Sequence, residues 1–165
     1  MIKRNNILTA LIFSGLFLFS CQQKETVKNN EQTGIKIAKP ITYEVLVKNP
    51  NPDDDWKTEC LANTDTKILV EDILKAVKNG NLPAFDYYDN HELSKSEIKE
   101  IIKEGNLSEN TANIQFEEEW YWDKNELALS KKVNKIMLGY AVYDGKGAVR
   151  GYKASFVIDL NLNKN

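Results

Sequence analysis

Polar and apolar residues alternate through "ITYEVLVKN", where Ile41, Tyr43, Val45 and Val47 stand against Thr42 and Glu44, the period of a half-buried strand. The period then lengthens. Leu69, Val70, Ile73, Leu74 and Val77 share one helical face, with Asp65 placed as N-cap and Gly80 as the stop. A second helix is expected from Ser94, which forms a capping box with Glu97; its apolar face is Ile98, Ile101 and Ile102, and Gly105 closes it. After that the period returns to two. Ile114, Phe116 and Trp120, with Trp122 continuing past Glu118, oppose Gln115, Glu117 and Glu119. Residues 132–143 place Ile136, Leu138, Tyr140 and Val142 on one face. "DGKG" at 144–147 predicts a hairpin turn, and residues 149–160 return with Tyr152, Ala154, Phe156, Ile158 and Leu160 on one face. These elements predict an α+β domain: an antiparallel sheet of about four strands with two helices packed on one side.

Ahead of this domain the pattern changes character. Lys3 and Arg4 precede an apolar run at 7–19, too short for a membrane-spanning helix, which needs about 20 residues. Ser20 and Cys21 follow the run, and the arrangement resembles a bacterial lipoprotein signal in which the cysteine is acylated and becomes the new N-terminus. Several acyl chains on one residue anchor stably where one alone is marginal, so Cys21 is the expected membrane attachment. Residues 21–39 are rich in Gln, Lys, Glu, Asn and Thr, which predicts a flexible tether, with the folded domain spanning 40–162.

Removal of residues 1–20 takes Lys3 and Arg4 from the 22 basic side chains, leaving 20 against 24 acidic ones, a formal charge of −4. That balance offers no electrostatic footprint for nucleic acid and no polybasic clamp for anionic lipid. With Cys21 acylated, Cys60 is the one remaining thiol, expected as a small buried residue beside Leu61. A single thiol and a single histidine, His91, cannot build a structural zinc site without carboxylates.

"FEEEWYWDK" at 116–124 mixes acids and aromatics, but strand geometry sends Glu117 and Glu119 to one face and Glu118 to the other. Glycosidase carboxylates flank a bond from about 5–9 Å, usually on different elements, so a hydrolase using Glu117, Glu118 and Glu119 is disfavoured against a solvated strand face. Trp120 is expected in the core with its N–H partnered. Asp53, Asp54 and Asp55 with Glu59 lack EF-hand spacing, so the sequence leaves a cation there undecided. His91 reads as a surface residue near the second helix, Ser94 as a cap, and glycines 145, 147 and 151 as parts of a hairpin. No catalytic residue, cofactor or metal is expected. The interaction candidates are Glu117, Glu119, Trp120, Tyr121, Trp122 and Asp123. An alternative reading is a glycan- or small-molecule-binding protein that stacks ligands on Tyr87, Tyr88, Trp120, Tyr121 and Trp122.

The order of three segments carries a resemblance: "ILVEDILKAVKNGNLPAFDYYDNHELS", "IQFEEEWYWDKNE" and "VNKIMLGYAVY". Over about residues 65–143 this succession resembles the GldN/PorN family of Bacteroidota, periplasmic proteins of gliding motility and type IX secretion. The resemblance implies a non-enzymatic assembly role beside partners of the GldK/PorK or GldM type. It brings no catalytic residues. The chain departs from the family in carrying its own lipid signal and in continuing through "DGKGAVRGYKASFVIDL", which suggests an accessory lipoprotein. Gln22 after the cysteine, with a single acid in "QQKE", favours the outer membrane with the domain facing the periplasm.

Overall fold

The computed structural model describes residues 34–51 and 53–162. The export signal, Cys21 and the tether up to residue 33 lie outside the described residues. Five antiparallel strands form one sheet in the order β1-β3-β4-β5-β2. They are β1 (Ile35–Leu46), β2 (Ala84–Asp86), β3 (Thr111–Asp123), β4 (Ala128–Tyr143) and β5 (Val149–Asp159). Helices α1 (Asp55–Leu61), α2 (Lys67–Asn79), α3 (Lys95–Gly105) and α4 (Leu107–Asn110) complete the α+β architecture.

The central meander β3-β4-β5 is the part the alternating pattern predicts, and the turn at 144–147 closes as expected, with Gly147 at φ 83°. One face of the sheet presents Ile114, Ile136, Leu138, Tyr140, Phe156 and Ile158 to the helices. Against them pack Val70, Ile73, Leu74 and Val77 of α2, Ile98 and Ile102 of α3, and Leu107 of α4. This single-faced burial is the main source of stability, at about 1.5–3 kcal/mol per fully buried large apolar side chain.

The caps repeat the sequence logic with two adjustments. Gly80 ends α2 in the left-handed conformation, and Ser94 and Glu97 complete the capping box. The residue capping α2 is Thr66, while Asp65 accepts from the Lys67 N–H at 3.1 Å. Gly105 lies inside α3, and the left-handed stop is Asn106 at φ 41°. The reason is packing, since a Cβ on Gly105 would lie 2.7 Å from Leu107 and 3.0 Å from Tyr140.

Other differences have equally local causes. Strand β1 begins at Ile35, within the span read as tether, and runs through Pro40. A proline fits there because β1 is an edge strand and its pairing with β3 is irregular between Ala38 and Ile41. The proline- and aspartate-rich stretch 50–56 reads as a loop from its composition, but its last two residues open helix α1 (Asp55–Leu61), capped by Asp54 through the Lys57 N–H at 3.0 Å. Cys60 on α1 is exposed, contrary to its expected burial, because α1 contributes no residue to the core. In β5 a register shift between Ala154 and Val157 divides the expected face. Phe156 and Ile158 stay in the core, whereas Tyr152 and Ala154 turn to the opposite side.

Candidate functional site

The two faces of the sheet carry different chemistry. Beyond the helices, on their side of the sheet, a cluster forms from β1, β3 and β4. Glu118 is 5% exposed, and its Oε2 accepts the Trp120 indole N–H at 3.1 Å. The Lys131 ammonium lies 3.6 Å from the same oxygen, 3.4 Å from the Tyr43 hydroxyl and 4.6 Å above the Trp120 ring. Desolvation, followed by the Glu118 carboxylate, holds the Tyr43 hydroxyl above its ordinary range. Here a charged group is taken out of water with its hydrogen-bonding needs met, which is a structural arrangement. Glu118 is therefore no solvated strand residue, and the partner expected for the Trp120 N–H is this carboxylate.

On the other face Glu119 accepts from the Tyr121 hydroxyl at 2.5 Å and pairs with Lys36 at 2.9 Å. The Tyr121 hydrogen bond, then Lys36, holds the Glu119 carboxyl below its usual range. Glu117 lies 3.5 Å from Lys135 across the β3–β4 pair. Asp123 caps the following turn, accepting from the Asn125 and Glu126 N–H groups at 2.9 and 3.1 Å. The six interaction candidates are thus not one patch. Strand alternation puts Glu117, Glu119 and Tyr121 on the open face and Trp120 and Trp122 on the other, while Asp123 serves the turn.

The open face holds a feature that sequence reading placed only in part. Below β2 the chain turns back on itself, with the Asp86 N–H donating to the His91 carbonyl and the Leu93 N–H to the Ala84 carbonyl. Asp86 secures the turn by accepting from the N–H groups of Tyr88 (2.7 Å) and Asp89 (3.1 Å), and Asn90 takes φ 61°. Since β2 is paired to β5, this loop hangs Tyr87 and Tyr88 over the open face. The two rings meet edge to face, 5.3 Å between centroids. Tyr87 stands between two depressions. One, about 150 Å³, is bordered by Gln115, Glu117, Lys135 and Asn90. The other, about 310 Å³, is bordered by Glu44, Asn113, Gly139, Tyr88 and Tyr152.

The floor of the larger depression is unusual. Asn113 is 6% exposed, and its Nδ2 donates to Glu44 Oε2 at 3.4 Å. Its Oδ1 is buried without a hydrogen-bond donor. That oxygen rests against Gly139, where an added Cβ would lie 1.7 Å away. Gln115 Nε2 adds a 3.2 Å bond to Glu44 Oε1 and lies 3.5 Å from the Tyr87 hydroxyl. A line of amides thereby fixes one carboxylate at the mouth of an aromatic-walled hollow. Among known proteins, no family model and no curated protein matches this chain.

Asp86, Asp89 and His91 bring one ligand atom each within 4.8 Å of one another, the set of this kind found among the described residues. Their hydrogen bonds already explain the arrangement as a loop brace. His91 Nδ1 is 2.6 Å from Asp89 Oδ1, and Nε2 is 3.6 Å from Glu97. The Asp89 hydrogen bond raises the His91 pKa above 6.5. The raised value means the folded loop favours imidazolium, so its stabilisation is complete below the unfolded pKa and fades as pH rises through the folded one. As the chain has one histidine, its ring protons give a single NMR titration curve. The midpoint is expected above 6.5 and should fall towards that value in Asp89→Asn. A midpoint at or below 6.5 in the native chain contradicts this brace. In the Asp53–Asp55 stretch, Asp54 is engaged as the α1 cap and holds Lys57 Nζ at 2.9 Å.

Proposed function

We propose that this protein is a lipid-anchored, non-enzymatic binding protein of the cell envelope, whose open sheet face receives its partner. The observation that carries the reading is the pair of depressions on that face, split by Tyr87 and overhung by the 80%-exposed Tyr88. Exposed aromatics beside fixed polar groups are the composition of binding surfaces. The acids of β3 support the non-enzymatic part, because each is engaged: Glu117 by Lys135, Glu118 by Trp120 and Lys131, Glu119 by Tyr121 and Lys36, and Asp123 by the N–H groups of the following turn. The apolar run and Cys21 support anchoring, and Gln22 supports the periplasmic leaflet of the outer membrane. The resemblance to GldN/PorN proteins supplies the proposed setting, an accessory role in gliding motility or type IX secretion beside GldK/PorK- or GldM-like components.

The glycan reading receives support at Tyr87 and Tyr88 but not at Trp120, whose ring and N–H are occupied by Lys131 and Glu118. The test is mild-detergent co-purification of the C-terminally tagged full chain from the membranes of its own cells, with mass spectrometry of what accompanies it. The expected result is recovery of envelope proteins that is lost in Tyr87→Ala/Tyr88→Ala and retained in an α2 surface variant, Leu69→Ala. Cys21→Ser should release the chain from the membrane fraction. Recovery of the chain alone, after crosslinking as well, would sink the assembly reading.

A further inference from the structure

The walls of the larger depression select for a particular chemistry. Resting on the open-face reading, we infer that this depression receives a cationic side chain, lysine or arginine, presented by the partner protein. Three observations converge on it.

The first is charge. Glu44 is held by two amide groups, at 3.2 and 3.4 Å, and forms no ion pair among the described residues. A carboxylate has about four acceptor sites, so two amide donors leave it capacity for a cation. The lysines on or beside this face already have other carboxylates, Lys36 at Glu119 and Lys135 at Glu117 among them. Lys153 contributes to the rim, but its Nζ lies 2.7 Å from Glu104 of α3, and Lys57 lies 2.9 Å from Asp54. Tyr152 is near enough to Lys57 to raise that lysine's pKa slightly, behind the larger contribution of Asp54.

Aromatic walls are the second observation. Tyr87, Tyr88 and Tyr152 flank the hollow, and ring faces attract cations, more strongly once water is displaced. The fold uses this contact elsewhere, with Lys131 over Trp120 and Lys36 over Tyr121. The third is the orphaned acceptor. Asn113, more than nine-tenths buried, forms part of the lining, and its Oδ1 is packed against Gly139 without a donor, so the hollow has a polar base that also holds Glu44. An ammonium brings three donors and a guanidinium five, enough to fill the acceptor sites that the two amides leave open on Glu44. A hollow of about 310 Å³ has room for one such side chain.

The test titrates the full chain, ¹⁵N-labelled in a non-ionic maltoside micelle, with blocked lysine (Nα-acetyl-lysine methylamide) and blocked arginine, followed by NMR. Saturable shifts are expected at the Gly139 and Ala154 amides and at the Asn113 and Gln115 side-chain amides. Glu44→Gln, which keeps the shape and removes the charge, is expected to weaken binding at least about fivefold, and Tyr88→Ala about threefold. Blocked Nε-acetyl-lysine, with its charge removed, is expected to give no saturable shift. Shifts that map to Asp86, Asp89 and Glu97, or that survive Glu44→Gln unchanged, would overturn the inference. Binding of the neutral probe as tightly as the charged one would do the same. These failures are separable from failure of the functional reading, which shows as partner recovery indifferent to Tyr87→Ala/Tyr88→Ala.

Discussion

Gly139→Ala is expected to lower stability by about 2–3 kcal/mol although the position asks for no unusual backbone. The cause is one contact. The new methyl would sit 1.7 Å from Asn113 Oδ1, and Asn113 cannot simply swing away, since its Nδ2 is joined to Glu44 and the residue is almost fully buried. The backbone is constrained as well. Gly139 lies at register shifts in both of its pairings, with β3 between Thr111 and Asn113 and with β5 between Met137 and Gly139. Urea unfolding of the mature chain measures the effect as a fall in midpoint. The double variant Gly139→Ala/Asn113→Ala should recover more than about half of the loss, because the two residues share one space and their effects are not additive. A single variant within about 0.5 kcal/mol of native would show that the floor is not packed as described.

Phe156→Ala should cost still more, about 4 kcal/mol, because the ring is fully buried between the sheet and the helices and its removal leaves a cavity. For a domain of this size that corresponds to a fall in Tm of roughly 10–15 °C. Tyr152→Ala, four residues earlier, should change Tm by no more than about 2 °C, because Tyr152 is exposed on the opposite face. The pair tests the register shift in β5 directly. If the two residues shared a face, as uninterrupted alternation implies, their costs would be comparable. Thermal unfolding by circular dichroism distinguishes the two outcomes.

That shift shows where the sequence was legible and where it was not. The helices α2 and α3 could be read because apolar spacing, Gly80 and the Ser94–Glu97 box agree. The hairpins could be read because "DGKG" marks one turn and β3 and β4 alternate cleanly through their core positions. A bulge adds one residue and leaves no mark on composition, so the face of Tyr152 could not be recovered from period alone. Strand β2 has three residues, too few for a period, and helix α1 has no buried face to display one. The candidate site suffered the same way. Its aromatics were visible in "YYDN", and Asp86, Asp89 and Asn90 are turn formers that could have placed the loop. What puts that loop over the sheet is the pairing of β2 with β5, a contact between segments some 70 residues apart. The link between Asn113, Glu44 and Gly139 depends on neighbouring strands in register, which no local pattern reveals.

The most direct test of the open face as the working surface is site-specific photocrosslinking of the full chain in its native membranes. A photoreactive amino acid at position 88, on the open side, is compared with one at position 69, on the outer surface of α2. A discrete crosslinked species is expected from position 88, reduced by Glu44→Gln, and none from position 69. Crosslinking from position 69 with none from position 88 would contradict that expectation and move the binding surface to the helices.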